Sequence, residues 1–217
     1  MGKFTDFILN NLSHVLPIII AGVFAVAIVL ERVKVVFFTY PLAGRAKFYH
    51  RIRELVMADK VQDAVALCDQ YPQKPAAQVM KEGLLRAHLP EQMVNDGLNI
   101  CVGEWIENIS KRTAFLSMIA NVATLLGLFG TIAGLIQSFE AVGTANPQEK
   151  SALLAAGIST AMNATMMGLG VAIPAMVAFS FIMNRTNRMV SELDQCSLEA
   201  LDIIRQRSYG VDTKRIA

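Results

Sequence analysis

Three stretches of this chain carry no charged side chain: residues 15–30, 113–139 and 151–184. A helix rises about 1.5 Å per residue and the hydrocarbon core of a bilayer is about 30 Å thick, so about 20 apolar residues cross it. The second and third stretches are 27 and 34 residues long and qualify outright. The first, at 16 residues, qualifies if its helix continues through "ERVKVVFF", with Arg32 and Lys34 snorkelling toward the headgroups. A cleaved signal peptide is disfavoured, because the first residues hold one Lys beside an Asp and no clean A-x-A site follows. The expectation is an all-α integral membrane protein with three transmembrane helices, whose long helices extend into a helical cytoplasmic region.

Basic residues orient the spans. Residues 31–112 hold twelve Lys and Arg and the tail after Asn184 holds six, against Lys3 at the N-terminus and Lys150 in the short loop. The positive-inside rule then divides the chain. Residues 1–14 are a short periplasmic N-terminus and 15–38 the first span. Residues 39–112 are a cytoplasmic helical region and 113–139 the second span. Residues 140–150 are a periplasmic loop, 151–184 the third span and 185–217 a cytoplasmic C-terminal helix and tail.

Within the middle region, "RAKFYHRIRELVMA" and "KVQDAVALCDQY" read as a helical pair broken near Ala58-Asp59. "YPQKP" reads as a loop and "AAQVMKEGLLRAH" as a further helix ended by Pro90. From Glu91 no Gly-Pro breaker intervenes before the second span, so one long helix is expected to run into it. The loop "AVGTANPQEK" carries a start signal, with Asn146 as cap, Pro147 at the first helical position and Glu149 three after the cap.

The composition excludes several classes. A formal charge of +2 gives no reason to expect nucleic acid as a partner. Cys68, Cys101 and Cys196 are scattered and no His lies near them in sequence, which reads as buried thiols rather than a metal or disulfide site. No Walker A, GxSxG or HExxH pattern occurs, so no enzyme, resident cofactor or metal is expected.

The second span is apolar yet spends glycine and hydroxyls freely. Ser117, Thr124, Thr131 and Ser138 recur every seventh residue, and three places after each lie Ala120, Gly127, Gly134 and Ala141. Such spacing forms one seam of a helix. Close helix packing explains the small residues, since small side chains let backbones approach in lipid. Four hydroxyls in register also suit a narrow, weakly polar pore lining. Both readings stand at this point. In the third span Ala161, Thr165, Gly168, Ala172 and Ala175 share a face, and Thr160 and Asn163 add polar groups. Pro174 leaves the carbonyl of Gly170 without its helical donor, which gives either a kink or a carbonyl for ion relay. No span holds an ionisable residue in its interior, although an ion pathway through lipid normally needs one.

"LLGLFGTIAGLIQSF" (125–139) and "GISTAMNATMMGLGVAIPA" (157–175), with a long segment between the first two of three spans, resemble the MotA/TolQ/ExbB ion-channel subunits of bacterial inner-membrane motors. The size and three-span layout look like the TolQ/ExbB branch. The resemblance implies that Thr131 and Thr165 line the ion pathway with Thr124, Ser138 and Ser117. Gly127, Gly134, Gly168 and Pro174 would shape helix packing and the pore. It implies a homopentamer around a dimer of a single-span ExbD- or TolR-like partner that supplies a membrane aspartate. Protons would be the transported ion, with sodium as an alternative, and the location is the bacterial inner membrane. Many ExbB-like members carry a glutamate where Thr160 stands here, so this subunit lacks that acid. The driven process is expected to be TonB-dependent transport or Tol-Pal function. Alternatives are gliding motility or another specialised motor and, in a different class, a non-conducting membrane scaffold.

Overall fold

A computed structural model describes residues 12–42 and 44–210. Most of the expected N-terminal segment, and residues 211–217 of the tail, lie outside the described residues. Among the described residues seven α-helices follow in order: α1 Leu12–Val33, α2 Arg45–Met57, α3 Val61–Asp69, α4 Pro75–Leu85, α5 Glu91–Ser110, α6 Thr113–Thr144 and α7 Lys150–Tyr209. A π-helical turn, Lys34–Thr39, extends α1. No strand occurs among the described residues. Among the described residues three helical stretches are long and apolar enough to cross a membrane, Val15–Thr39, Glu91–Thr144 and Lys150–Tyr209, so the all-α three-span reading holds.

The chain divides into two compact units, Met1–Glu31 with Arg112–Phe181, and Arg32–Lys111 with Ile182–Ala217. The first contains α6 and parts of α1 and α7. Its interior joins a few large side chains, Val15, Ile18 and Leu116, to many small ones: Ala25, Ala120, Ala123, Ala172 and Ala175 form one buried cluster. Helices that bury alanine and glycine approach until backbones touch, and dispersion between closely spaced atoms then holds them in a solvent that gives no hydrophobic drive.

The second unit is built like a soluble domain. Ile52 from α2, Met80 from α4, Leu98 from α5 and Ile203 from α7 are fully buried together, each worth about 1.5–3 kcal/mol of burial. Its turns use the residues that the sequence offers. Gly44 precedes α2 at φ 71°, a left-handed value that costs glycine nothing. Pro75 opens α4, where its missing N–H is no loss, and Pro90 precedes α5. The rings of Tyr40 and Trp105 stand nearly perpendicular with their centres 5.9 Å apart.

Three local expectations need correction. The helix from Glu91 does not run unbroken into the second span. It stops at Ser110, and Arg112 turns the chain at φ 62° before α6 begins. Neither Lys111 nor Arg112 is a breaker by composition. The Arg112 guanidinium, however, reaches both carboxylate oxygens of Glu31 at 2.7 Å, and that pairing helps offset the left-handed turn. The third long helix starts regularly at Lys150 rather than at Pro147. Asn146 to Glu149 form a turn closed by the Glu149 N–H donating to the Asn146 carbonyl at 3.0 Å. Finally, Arg32 is 4% exposed, so it does not snorkel outward, whereas Lys34 is exposed.

Candidate functional site

The site residues gather where α6 and α7 run antiparallel within the first unit. The buried face of α6 is Thr113, Leu116, Ala120, Ala123, Gly127, Gly130, Gly134 and Ser138. Facing it on α7 are Ala161, Ala164 and Gly168, two of them buried alanines. How close the helices lie is measured by what a Cβ would meet at each glycine. At Gly127 it would stand 3.2 Å from the Cα of Gly168 and 3.3 Å from the Ala164 carbonyl oxygen. At Gly134 it would stand 3.2 Å from the Ala161 Cα, and at Gly168 only 2.6 Å from the Ala123 carbonyl oxygen. These contacts fix the register: Ala123 and Gly127 lie beside Gly168, Gly130 beside Ala164, and Gly134 beside Ala161.

The seam read from the sequence therefore separates into two parts. Its glycines and Ala120 form the interface with α7, whereas Thr124 is exposed and Ser117 and Thr131 are half-buried at the edge. Ser138 alone of the four hydroxyls is buried, and Ala141 is exposed. A straight α-helix drifts about 20° per seven residues, so positions three repeats apart differ by about 60° around the axis. Ser117 and Ser138 sit at opposite ends of that drift. The sequence reading missed Gly157, which lies against Ser138. Its signal was present as small residues at 157, 161, 164 and 168, which share a helical face.

Five of these hydroxyls donate to backbone carbonyls. Thr124 donates to the Ala120 carbonyl at 3.0 Å, Thr131 to Leu128 at 2.6 Å and Ser138 to Gly134 at 2.6 Å. On α7, Thr160 donates to Ala156 at 3.1 Å. Thr165 differs, because its Oγ1 donates across to the Gly127 carbonyl on α6 at 3.4 Å. Thr131 stands one turn along, between the levels of Ala164 and Ala161 given by Gly130 and Gly134. Asn163 is half-buried on α7. α7 continues through Pro174 as helix. Thr165, Gly170 and Pro174 line one open groove of about 590 Å³, walled otherwise by Met162, Met166, Leu169 and Ile173. A second apolar groove of about 370 Å³, lined by Gly22 and Ala25 of α1 and by Val171 and Ala175 of α7, shares Gly170 and Pro174 with it.

Among the described residues no group of three or more His, Cys, Asp or Glu is placed to hold a metal ion. Burial pushes the thiols of Cys68 and Cys196 up to about 12 and that of Cys101 up to about 11. Thiols held neutral in this way are poor nucleophiles.

An integral membrane protein with two helices in close antiparallel contact through alanine and glycine, and with no charged side chain in 113–139 or 151–184, is the class that this geometry defines. Residues 72–195 match the model of the MotA/TolQ/ExbB proton channel family, and the chain belongs to that family. It is 32% identical over 113 residues to the Tol-Pal system protein TolQ of Haemophilus influenzae, covering 52% of this chain and 49% of that one. It is 31% identical over 156 residues to a putative biopolymer transport protein ExbB homolog of Methanothermobacter thermautotrophicus, covering 71% and 52%. With the biopolymer transport protein exbB1 of Vibrio cholerae it shares 24% over 180 residues, covering 82% and 78%. The chain spans about half the length of the first two relatives.

Proposed function

We propose that this chain is the ion-channel and stator subunit of a bacterial inner-membrane motor, converting ion-motive force into mechanical work. Five copies would surround a dimer of a single-span ExbD- or TolR-like partner, whose membrane aspartate carries the proton. The driven process would be TonB-dependent transport or Tol-Pal function, the latter in the name of the Haemophilus influenzae relative. The N-terminus and the loop at 140–150 would be periplasmic, and the middle region and tail cytoplasmic. Thr131 and Thr165 would line the ion pathway, with Thr124, Ser117 and Ser138 beside them and Thr160 and Asn163 as further polar contributors.

The observation that carries this reading is the pairing of family membership with second and third spans, 113–139 and 151–184, that hold hydroxyls but no acid. A charged side chain at mid-bilayer costs at least about 2.5–3.5 kcal/mol on insertion scales. A subunit without one needs its carrier from elsewhere. Reconstituted alone, the chain should take up few protons under an imposed potential. Adding the partner should raise uptake, and changing the partner's membrane Asp to Asn should abolish the rise. Strong flux through this chain alone, or unchanged flux with the Asn partner, would sink the proposal. Absence of flux with any partner would favour a scaffold.

A further inference from the structure

We propose that the π-helical turn Lys34–Thr39 is a register switch, holding one residue more than an α-helix would and kept closed by the Lys74 ammonium. This switch does not depend on the conducting reading. In an α-helix each N–H donates to the carbonyl four residues back. Here the Tyr40 N–H donates five back, to the Val35 carbonyl at 3.0 Å. The Thr39 hydroxyl also reaches five back, donating to the Lys34 carbonyl at 3.3 Å. Turns of this kind are rare and short, and they occur frequently at functional sites.

No Pro or Gly lies within 34–39 to force the departure from α geometry. Contacts from elsewhere in the second unit hold it instead. Val36 is fully buried in the core of that unit. Tyr40, the residue after the turn, stands across from Trp105 of α5. The half-buried Lys74, just before α4, donates to the Thr39 carbonyl at 2.7 Å. A cation at a helix C-terminus is favoured both by that bond and by the helix dipole. Phe38 is the residue that the turn can spare, since it is 75% exposed between these fixed points. Reversion to an α-helical ladder releases about one residue of helix, 1.5 Å of rise and 100° of rotation. Tyr40 then swings away from Trp105, and the end of α1 advances by that step without unfolding.

The test uses the full chain in detergent micelles. Amide hydrogen exchange is followed residue by residue, and Trp105, the single tryptophan, reports on Tyr40 by its emission. Lys74→Met keeps the apolar stem and removes the donor. It should speed exchange at Val36–Tyr40 by about tenfold, the size of one charge-assisted hydrogen bond, and leave α3 unchanged. Trp105 emission should move toward that of Tyr40→Leu, and Lys74→Arg should restore both readings. Deleting Phe38 should slow exchange at the turn, leave Trp105 emission as it is, and make Lys74→Met silent. Phe38→Ala keeps the length of the turn and should behave as wild type. Unchanged exchange in Lys74→Met, or exchange rising equally in α3, would overturn the proposal. So would a Phe38 deletion that speeds exchange, shifts the emission, or fails to fold where Phe38→Ala folds.

Discussion

Gly168 comes so near α6 that a Cβ there would lie 2.6 Å from the carbonyl oxygen of Ala123 and 2.8 Å from the Cα of Gly127. Both atoms are backbone and cannot rotate aside. Gly168→Ala must therefore separate the helices, and overpacking of this kind costs about 1–3 kcal/mol. Gly103, in α5, has open space where its Cβ would be. Gly103→Ala should be neutral or stabilise by up to about 1 kcal/mol, since it removes a flexible residue from a helix interior. Thermal unfolding in detergent compares the two; equal effects would mean that α6 and α7 are not in backbone contact.

Thr131→Val and Thr165→Val keep shape and remove the hydroxyl. Each should cut partner-dependent proton flux by about tenfold or more while leaving the assembled complex at normal yield. Ile132→Leu, an exposed apolar neighbour on the same helix, should leave flux unchanged. A loss of complex yield matching the loss of flux would show that the threonines serve folding only.

Topology can be read by thiol labelling with Cys68 and Cys196 left in place. With thiols at about 12, Cys68 and Cys196 hold roughly a thousandfold less thiolate near pH 8 than an ordinary cysteine. A cysteine at Thr144 should react with an impermeant reagent in intact cells and one at Gln73 should not. The opposite pattern would reverse the orientation. The raised values also set a pH dependence. Neutral thiols stabilise the folded form fully below about 9, where unfolded thiols begin to ionise, and that contribution is lost as pH climbs toward 12. The second unit should lose stability over that range.

The turn at Arg112 makes a sharper backbone test. Its left-handed φ favours glycine, so Arg112→Gly should change stability by less than about 1 kcal/mol, the relieved backbone offsetting an exposed ion pair of small worth. Arg112→Val places a β-branched side chain at positive φ and loses the pair as well. It should destabilise by about 1–3 kcal/mol. Similar effects of both variants in chemical denaturation would mean that the residue does not hold this conformation.

The helices of the second unit were legible because Pro75 and Pro90 mark their starts and Asp59 sits in the break between α2 and α3. The turn at Lys111-Arg112 was not, because it is supported by a carboxylate 81 residues away in sequence rather than by a local breaker. The same limit governs the site. Composition alone picks out Thr131, Thr165 and the glycines. Which of them point at α7 depends on helical drift and on the register of a second helix, so Ser138 and Gly157 pair where a repeat pattern gave no hint.

Alanine and glycine have no rotamers to freeze. The α6–α7 contact, made of Ala120, Ala123, Gly127, Gly130 and Gly134 against Ala161, Ala164 and Gly168, therefore forms with almost no loss of side-chain entropy, and it has no long side chains through which to slip or repack. Two helices joined backbone to backbone behave as one stiff plank. Any displacement that an ion drives in this pair has to be a movement of the plank as a whole.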